Sequence, residues 1–316
     1  MAFTMHSHSG EFCPGHAKDQ LEDILKHAIS VGYKTIGLTE HMPRYEERDL
    51  YPEEVTHISK LDNPAASLAV LPPRHDAYIV EAQRLQSLYA SQIHVLIGFE
   101  AEFIRPAFGP QVRALAAHPA VDYFIGSVHH VHGIPIDFDA ATFGRARDAS
   151  TPSTEEKLYE DYYDLQFQML QDLEPRVVGH FDLVRLLSED PARDIRQWEG
   201  VWQRVVRNLE LVARQGGWLE CNSSALRKGL AEPYPGRLIA EEWLKMGGKF
   251  TFSDDSHGIA QVATNYARTV TYLESLGVQE VWTYRRKPHP GLEGNNRATI
   301  EEVGVPLSAF RENFKE

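Results

Sequence analysis

The sequence predicts an α/β barrel built as a single domain over residues 1–316. Three observations carry that expectation. Short strand-like apolar runs alternate with helical stripes along the chain, no linker or low-complexity tract divides it, and nearly every expected strand ends on a histidine or an acid.

Phe3-Thr4-Met5 is the first expected strand. From Asp19 to Val31, apolar positions at Leu21, Ile24, Leu25, Ala28 and Val31 recur at helical spacing, and Gly32 marks the stop. Thr35 to Thr39 is the second strand, ending at Glu40-His41. The alternation continues with a helix over 76–90, a strand over 94–99, a helix over 110–117 and a strand over 122–128. Helices over 154–173, 195–215 and 236–246 then precede strands over 176–179, 217–221 and 249–252. Strict alternation implies right-handed βαβ units and a parallel sheet, and seven such units suit closure into an irregular barrel. Two stretches interrupt the rhythm, the proline-rich 43–74 and 133–153, and both are expected to be lid loops. Residues 278–316 are expected to form an edge strand followed by irregular chain with no function.

Composition narrows the classes of function. A formal net charge of −13 argues against a nucleic-acid binder, because phosphate backbones are held by clustered Lys and Arg. No run approaches the ~20 apolar residues of a membrane helix. The opening MAFTMHSHSGEF lacks the basic and apolar regions of a signal peptide, and with only Cys13 and Cys221 a reduced, cytoplasmic setting is expected. The oligomeric state is open.

Histidine is the unusual count, at 15. The expected strands are followed by His6-Ser7-His8, Glu40-His41, Glu100, His129-His130, His180, Glu220 and Asp254-Asp255-Ser256-His257. In a parallel barrel the C-terminal strand ends converge on one face, so these residues become neighbours. Imidazole and carboxylate suit zinc, manganese or iron, and the set exceeds one coordination shell, so two or three divalent metal ions are expected. His-x-His aims both rings to one side, and Asp255-Ser256-His257 repeats that spacing. His27, His57, His75, His94, His118, His132 and His289 fall on helices, loops or strand starts and are expected to be structural or exposed.

The ordered set His6-Ser7-His8, Thr39-Glu40-His41, Gly98-Phe99-Glu100, Gly126-Ser127-Val128-His129, Gly179-His180 and Asp255-Ser256-His257 resembles the polymerase and histidinol phosphatase superfamily across nearly the whole chain. The segment from Leu219 to Lys228, followed by Glu232-Pro233-Tyr234-Pro235, is similar to that of its histidinol-phosphate phosphatases. The resemblance implies a distorted (β/α)7 barrel and a trinuclear metal site. It implies that His6, His8, Glu100 and Asp255 hold one metal, with Glu100 bridging to a second held by His129 and His180. His41, His257 and His16 would hold the third. Glu102, His130 and Asp254 compete with Glu100, His129 and Asp255 for the same roles.

The expected substrate is a small phosphate monoester, histidinol phosphate first, attacked by a water activated between metals that Glu100 bridges. Asp255 and His130 are the candidates for delivering a proton to the leaving group. Arg185 is the first choice for gripping phosphate, followed by Arg44 and Arg227, and Asn222 could orient the polar end. Asp137 and Asp139 are candidates to meet the substrate ammonium. The rivals are a nucleotide phosphatase or nuclease of the same superfamily, an amidohydrolase-like barrel with a bridging carboxylated lysine, and a metal-binding protein without activity.

Overall fold

The computed structural model describes residues 2–58, 63–287 and 298–314. His289 and the side chain of His57 lie outside what is described. All seven expected strands form, as β1 (Ala2–Thr4), β2 (Tyr33–Leu38), β3 (His94–Ile97), β5 (Ile125–Ser127), β8 (Val177–Val178), β9 (Trp218–Asn222) and β10 (Lys249–Ser253). The intervening helices are α1 (Leu21–Ser30), α3 (Pro64–Leu88), α4 (Gly109–Ala116), α6 (Glu155–Leu173), α7 (Glu199–Gln215) and α9 (Arg237–Lys245).

The parallel strands make two sheets, one of three strands in the order β1-β2-β3 and one of five in the order β10-β9-β8-β5-β4, where β4 is Glu100–Glu102. The expected strand over 94–99 thus breaks and restarts in the second sheet. The break falls at Gly98, where a Cβ would lie 2.9 Å from the Tyr123 carbonyl oxygen. Only glycine permits that approach, and it lets the chain step sideways so that Glu100 heads a new strand. Backbone bonds tie the sheets at two places: Met5 N–H donates to the Phe252 carbonyl at 3.1 Å, and Glu100 N–H to the Glu40 carbonyl at 3.0 Å.

The two expected lid loops are largely ordered secondary structure. The first holds α2 (Pro52–Ile58) and the opening turns of α3, which runs through Pro72 and Pro73. The prolines signal a break, but Leu71, His75, Tyr78, Ala82 and Leu85 bury one face of α3, and packing outweighs the lost backbone bonds. In the second stretch β6 (His130–Val131) pairs with β7 (Ile134–Pro135), and Asp139 caps α5 (Ala140–Ala149) by accepting from Thr142 N–H at 2.7 Å.

Beyond α8 (Ser224–Arg227) and α10 (Tyr266–Ser275), the tail is also more regular than expected. It forms an antiparallel pair of β11 (Glu280–Lys287) and β12 (Thr299–Pro306), then α11 (Leu307–Asn313). Phe310 of α11 packs on Phe3 and Phe252, with ring centroids 4.9 and 4.8 Å away, and Tyr284 stacks on Trp218 at 4.4 Å. The Tyr284 contact covers the N-terminal end of β9 and the Phe310 contacts bury β1 and β10, a burial worth roughly 2 kcal/mol per large side chain. The C-terminal strand ends stay open on the opposite face.

Candidate metal centre

Each of β1, β2, β5, β8 and β10 hands its chain to a histidine or acid within a few residues of its end, and β4 begins with Glu100. His6, His8, Glu100, Glu102, His129, His180 and Asp255 are all buried. Glu100 is the hub, and its two oxygens face different partners. Oε2 lies 3.3 Å from His6 Nε2, 3.5 Å from His8 Nε2 and 3.0 Å from His41 Nδ1. Oε1 lies 3.1 Å from His180 Nε2 and 3.4 Å from His129 Nε2. Asp255 Oδ1 closes the first group, 3.7 Å from His6 Nε2 and 3.4 Å from His8 Nε2.

His16 stands at the edge. Its ring is 5.1 Å from that of His41 and 4.7 Å from that of His257, and its Nδ1 is 3.2 Å from Glu53 Oε1. The structure therefore brings the nine expected metal ligands into one neighbourhood.

Of the competing acids, Asp254 and Asp255 separate cleanly. Asp254 is turned away from the histidines: its carboxylate accepts from Tyr33 Oη at 2.6 Å and from the Ala263 amide at 2.7 Å. Asp255, at φ 48°, holds the strained backbone that points its carboxylate into the centre. Glu102 stands beside Glu100, 2.9 Å from His129 Nδ1, 2.9 Å from His41 Nδ1 and 2.9 Å from Arg44, so it braces two rings of the centre. Glu220 does the same for His6, with Oε1 2.7 Å from His6 Nδ1, and its other oxygen accepts the His180 amide at 2.9 Å. Such carboxylates fix ring orientation and free the far nitrogen for a cation. Glu220 was legible as a strand-end acid, but its buttressing role was not.

Charge is distributed unevenly. Burial opposes protonation of His41, but Glu100 and Glu102 raise it to about 10; against the same opposition, Glu102 and Glu100 raise His129 to about 9. Burial and the neighbouring His41 push His8 down to about 3. Although burial favours their neutral forms, facing imidazoles hold Glu100 and Asp255 well below the carboxylate range. His6 Nε2, His8 Nε2 and His41 Nε2 are buried without a hydrogen-bond partner among the described residues. Ionised carboxylates and buried imidazole nitrogens converging at these distances fit divalent cations, which would take the place of the protons held on His41 and His129. Five groups meet that test: His6, His8 and Glu100; Glu100, His129 and His180; and His8, His41 and His257 fall within the expected ligands, while His41, Glu100 and Glu102, and His8, Cys13 and Glu40, extend beyond them.

Several expected substrate contacts are placed elsewhere. Arg185 does not line the cavity above the centre; it pairs with Asp182 at 2.8 Å and donates to the carbonyls of Glu232 and Pro233 at 3.0 and 2.7 Å. Asn222 is buried, 3.0 Å from Glu220 and 3.3 Å from Asp255, so it braces two acids instead of meeting solvent. His130 turns its ring to Tyr51, 5.0 Å away, outside the cavity, and burial lowers it to about 3, leaving no extra proton near neutrality. The Asp255 carboxylate, held ionised, is placed to accept rather than donate. Arg44 and Arg227 do line the cavity of about 730 Å³, joined by Arg74 and Lys228, which the sequence reading missed. Arg44 is bound to Glu102, and Arg227 donates to the Asp255 carbonyl at 2.9 Å.

A buried histidine and carboxylate cluster at the open ends of parallel strands defines a metal-dependent hydrolase. The chain belongs to the PHP domain family, whose model matches residues 4–224. It is similar to a probable histidinol-phosphatase of Schizosaccharomyces pombe, 38% identical over 96% of each chain, and to the histidinol-phosphatase of Saccharomyces cerevisiae, 34% identical over 96% of each. Its fold is similar to that of a histidinol phosphate phosphatase from Lactococcus lactis solved with zinc, L-histidinol and phosphate, with TM-score 0.64 and 20% identity over 89% of this chain and 95% of that one. Among the described residues no helix is long and apolar enough to cross a membrane.

Proposed function

We propose that the chain is a histidinol-phosphate phosphatase, a metal-dependent phosphoric monoester hydrolase acting in histidine biosynthesis in the cytoplasm. The observation that carries it is the division of Glu100, one oxygen toward His6, His8 and His41 and the other toward His129 and His180. The relatives' printed names, at 38% and 34% identity, support the substrate. The distorted seven-unit barrel is our reading of the two sheets and their backbone ties.

His6, His8, Glu100 and Asp255 would hold one cation, Glu100, His129 and His180 a second, and His16, His41 and His257 a third, drawn from zinc, manganese or iron. Bound there, such cations supply an acidified water as nucleophile and neutralise charge spreading over the phosphoryl group. The residues provide the rest. Glu220 and Glu102 hold His6 and His129 in one ring orientation. Arg227 fixes the turn that presents Asp255, and Lys228 and Arg74 face the same cavity as cations for a dianion. Phosphate hydrolysis needs positioning and charge more than covalent participation, and this arrangement offers both.

The test is phosphate release from L-histidinol phosphate, nucleoside monophosphates and phenyl phosphate, by protein loaded separately with manganese, zinc and iron. A chelator-sensitive preference for histidinol phosphate is expected. Activity confined to nucleotides would keep the centre and overturn the substrate, while silence on every ester would overturn the reading.

A further inference from the structure

Six carboxylates line the cavity: Glu40, Glu53, Glu54, Glu100, Asp137 and Asp255. Five are committed. Glu40 accepts from Ser9 and Cys13, Glu53 holds His16 at 3.2 Å, Glu54 accepts the Tyr51 amide at 2.8 Å, and Glu100 and Asp255 belong to the centre. Asp137 differs: its Oδ1 is buried and has no hydrogen-bond partner among the described residues. A buried acceptor without a donor is costly to hold, and a ligand that brings a donor to Asp137 would relieve that cost.

The backbone around Asp137 is pinned on both sides. Ile136 N–H donates to the His129 carbonyl at 2.9 Å, and Asp139 is consumed in capping α5. Asp139, the other acid expected to meet an ammonium, is therefore unavailable. Asp137 is near enough to the centre that its charge acts on the His129 ring and the Tyr51 phenol. Phe138, next in the chain, stands 43% exposed on the same cavity wall.

An acid this close to a site for a dianion repels substrate unless the substrate brings its own cation. Histidinol phosphate does: its amino group sits on the carbon next to the one bearing the ester oxygen, so the ammonium travels with the reacting phosphoryl group. Resting on the proposed function, we infer that Asp137 is the specificity residue that accepts a hydrogen bond from the substrate's α-ammonium and so selects amino-bearing phosphate monoesters.

The test compares wild type and Asp137→Asn on L-histidinol phosphate, on the propyl phosphate that carries the imidazole but lacks the amino group, and on phenyl phosphate. L-Histidinol affinity is measured by calorimetry on the metal-loaded proteins. For the amino substrate the variant should lose about 30- to 100-fold in kcat/KM, mainly through KM, while the other two esters change less than about threefold or improve. L-Histidinol should bind about as much more weakly. Equal losses on all three esters would reduce Asp137 to a structural or centre-orienting role, and no loss on any would remove it from recognition. A wild type that cleaves other esters but not histidinol phosphate would instead sink the substrate reading itself, an outcome visible before the variant is made.

Discussion

Glu220 Oε1 lies 2.7 Å from His6 Nδ1, joining the middle of β9 to the chain just past β1 across 214 residues of sequence. Both side chains are fully buried, so the contact is made out of reach of solvent. It leaves His6 Nε2 aimed at Glu100 and Asp255. Glu220→Gln keeps the shape but gives up the negative charge. Metal affinity should fall about 10- to 100-fold, read as a higher metal concentration for half-maximal activation and lower content after dialysis. Unchanged activation by manganese and zinc would show that Glu220 is only core filling.

Glu100→Gln tests the hub. An amide cannot face imidazole nitrogens with two equivalent anionic oxygens, so the two halves of the centre lose their shared charge. Turnover should fall by at least about 10³-fold, since the nucleophile and its electrostatic support go together. Circular dichroism should match wild type. Near-normal turnover would take Glu100 out of the reaction.

Much of this centre was legible because strand ends can be found from local pattern and parallel strands all point one way. His6, His8, His41, Glu100, His129, His180, Asp255 and His257 needed no knowledge of distant contacts to be grouped. The spacing of Asp255 and His257 already favoured Asp255 over Asp254, but the reason Asp254 turns away is tertiary, since Tyr33 and Ala263 take it up from elsewhere in the chain. Arg185 was misplaced for a similar reason: a cation near a strand end can turn to the cavity or to a neighbouring loop, and the carbonyls of Glu232 and Pro233 decide it. Helix α3 was cut short because prolines dominate the local signal, while the burial that sustains the helix is tertiary.

Arg185→Ala should act on stability before catalysis. The guanidinium pairs with Asp182 at 2.8 Å, crosses Tyr234 at 5.2 Å and ties down the 232–233 carbonyls. Removing it strands a buried acid and two acceptors, a loss of about 2–4 kcal/mol. Thermal unfolding should drop by several degrees, and Arg185→Lys should rescue only part, because an ammonium lacks the planar fork. A large KM rise with no change in unfolding temperature would restore Arg185 as a phosphate ligand.

His75 should make the fold acid-sensitive. It is buried on α3 beside Tyr78 and Phe99, and burial lowers its pKa to about 4 from 6.5. Between those values the unfolded chain binds a proton that the folded chain refuses, so stability is full above pH ~6.5 and declines as pH falls toward ~4. The loss is about 2–4 kcal/mol at its limit. His75→Leu removes this contribution, so its unfolding temperature should fall less than that of wild type between pH 7 and pH 5. Parallel pH profiles for the two proteins would show that His75 does not carry the effect.

Chelation should reveal how far the centre supports the fold. Glu100, Glu102 and Asp255 are buried carboxylates facing imidazoles from five different strands, and a cation binding this folded arrangement but not the unfolded chain must stabilise it. At free metal about 100-fold above Kd the gain is about 2.7 kcal/mol, several degrees in unfolding temperature. Treatment with chelator should remove those degrees, and adding back manganese or zinc should restore them. Glu100→Gln should show a smaller difference between its metal-loaded and chelated forms, because it has lost the side chain shared by both groups. Equal metal-dependent shifts in wild type and variant would place the stabilising cation away from Glu100 and undo the assignment of the hub.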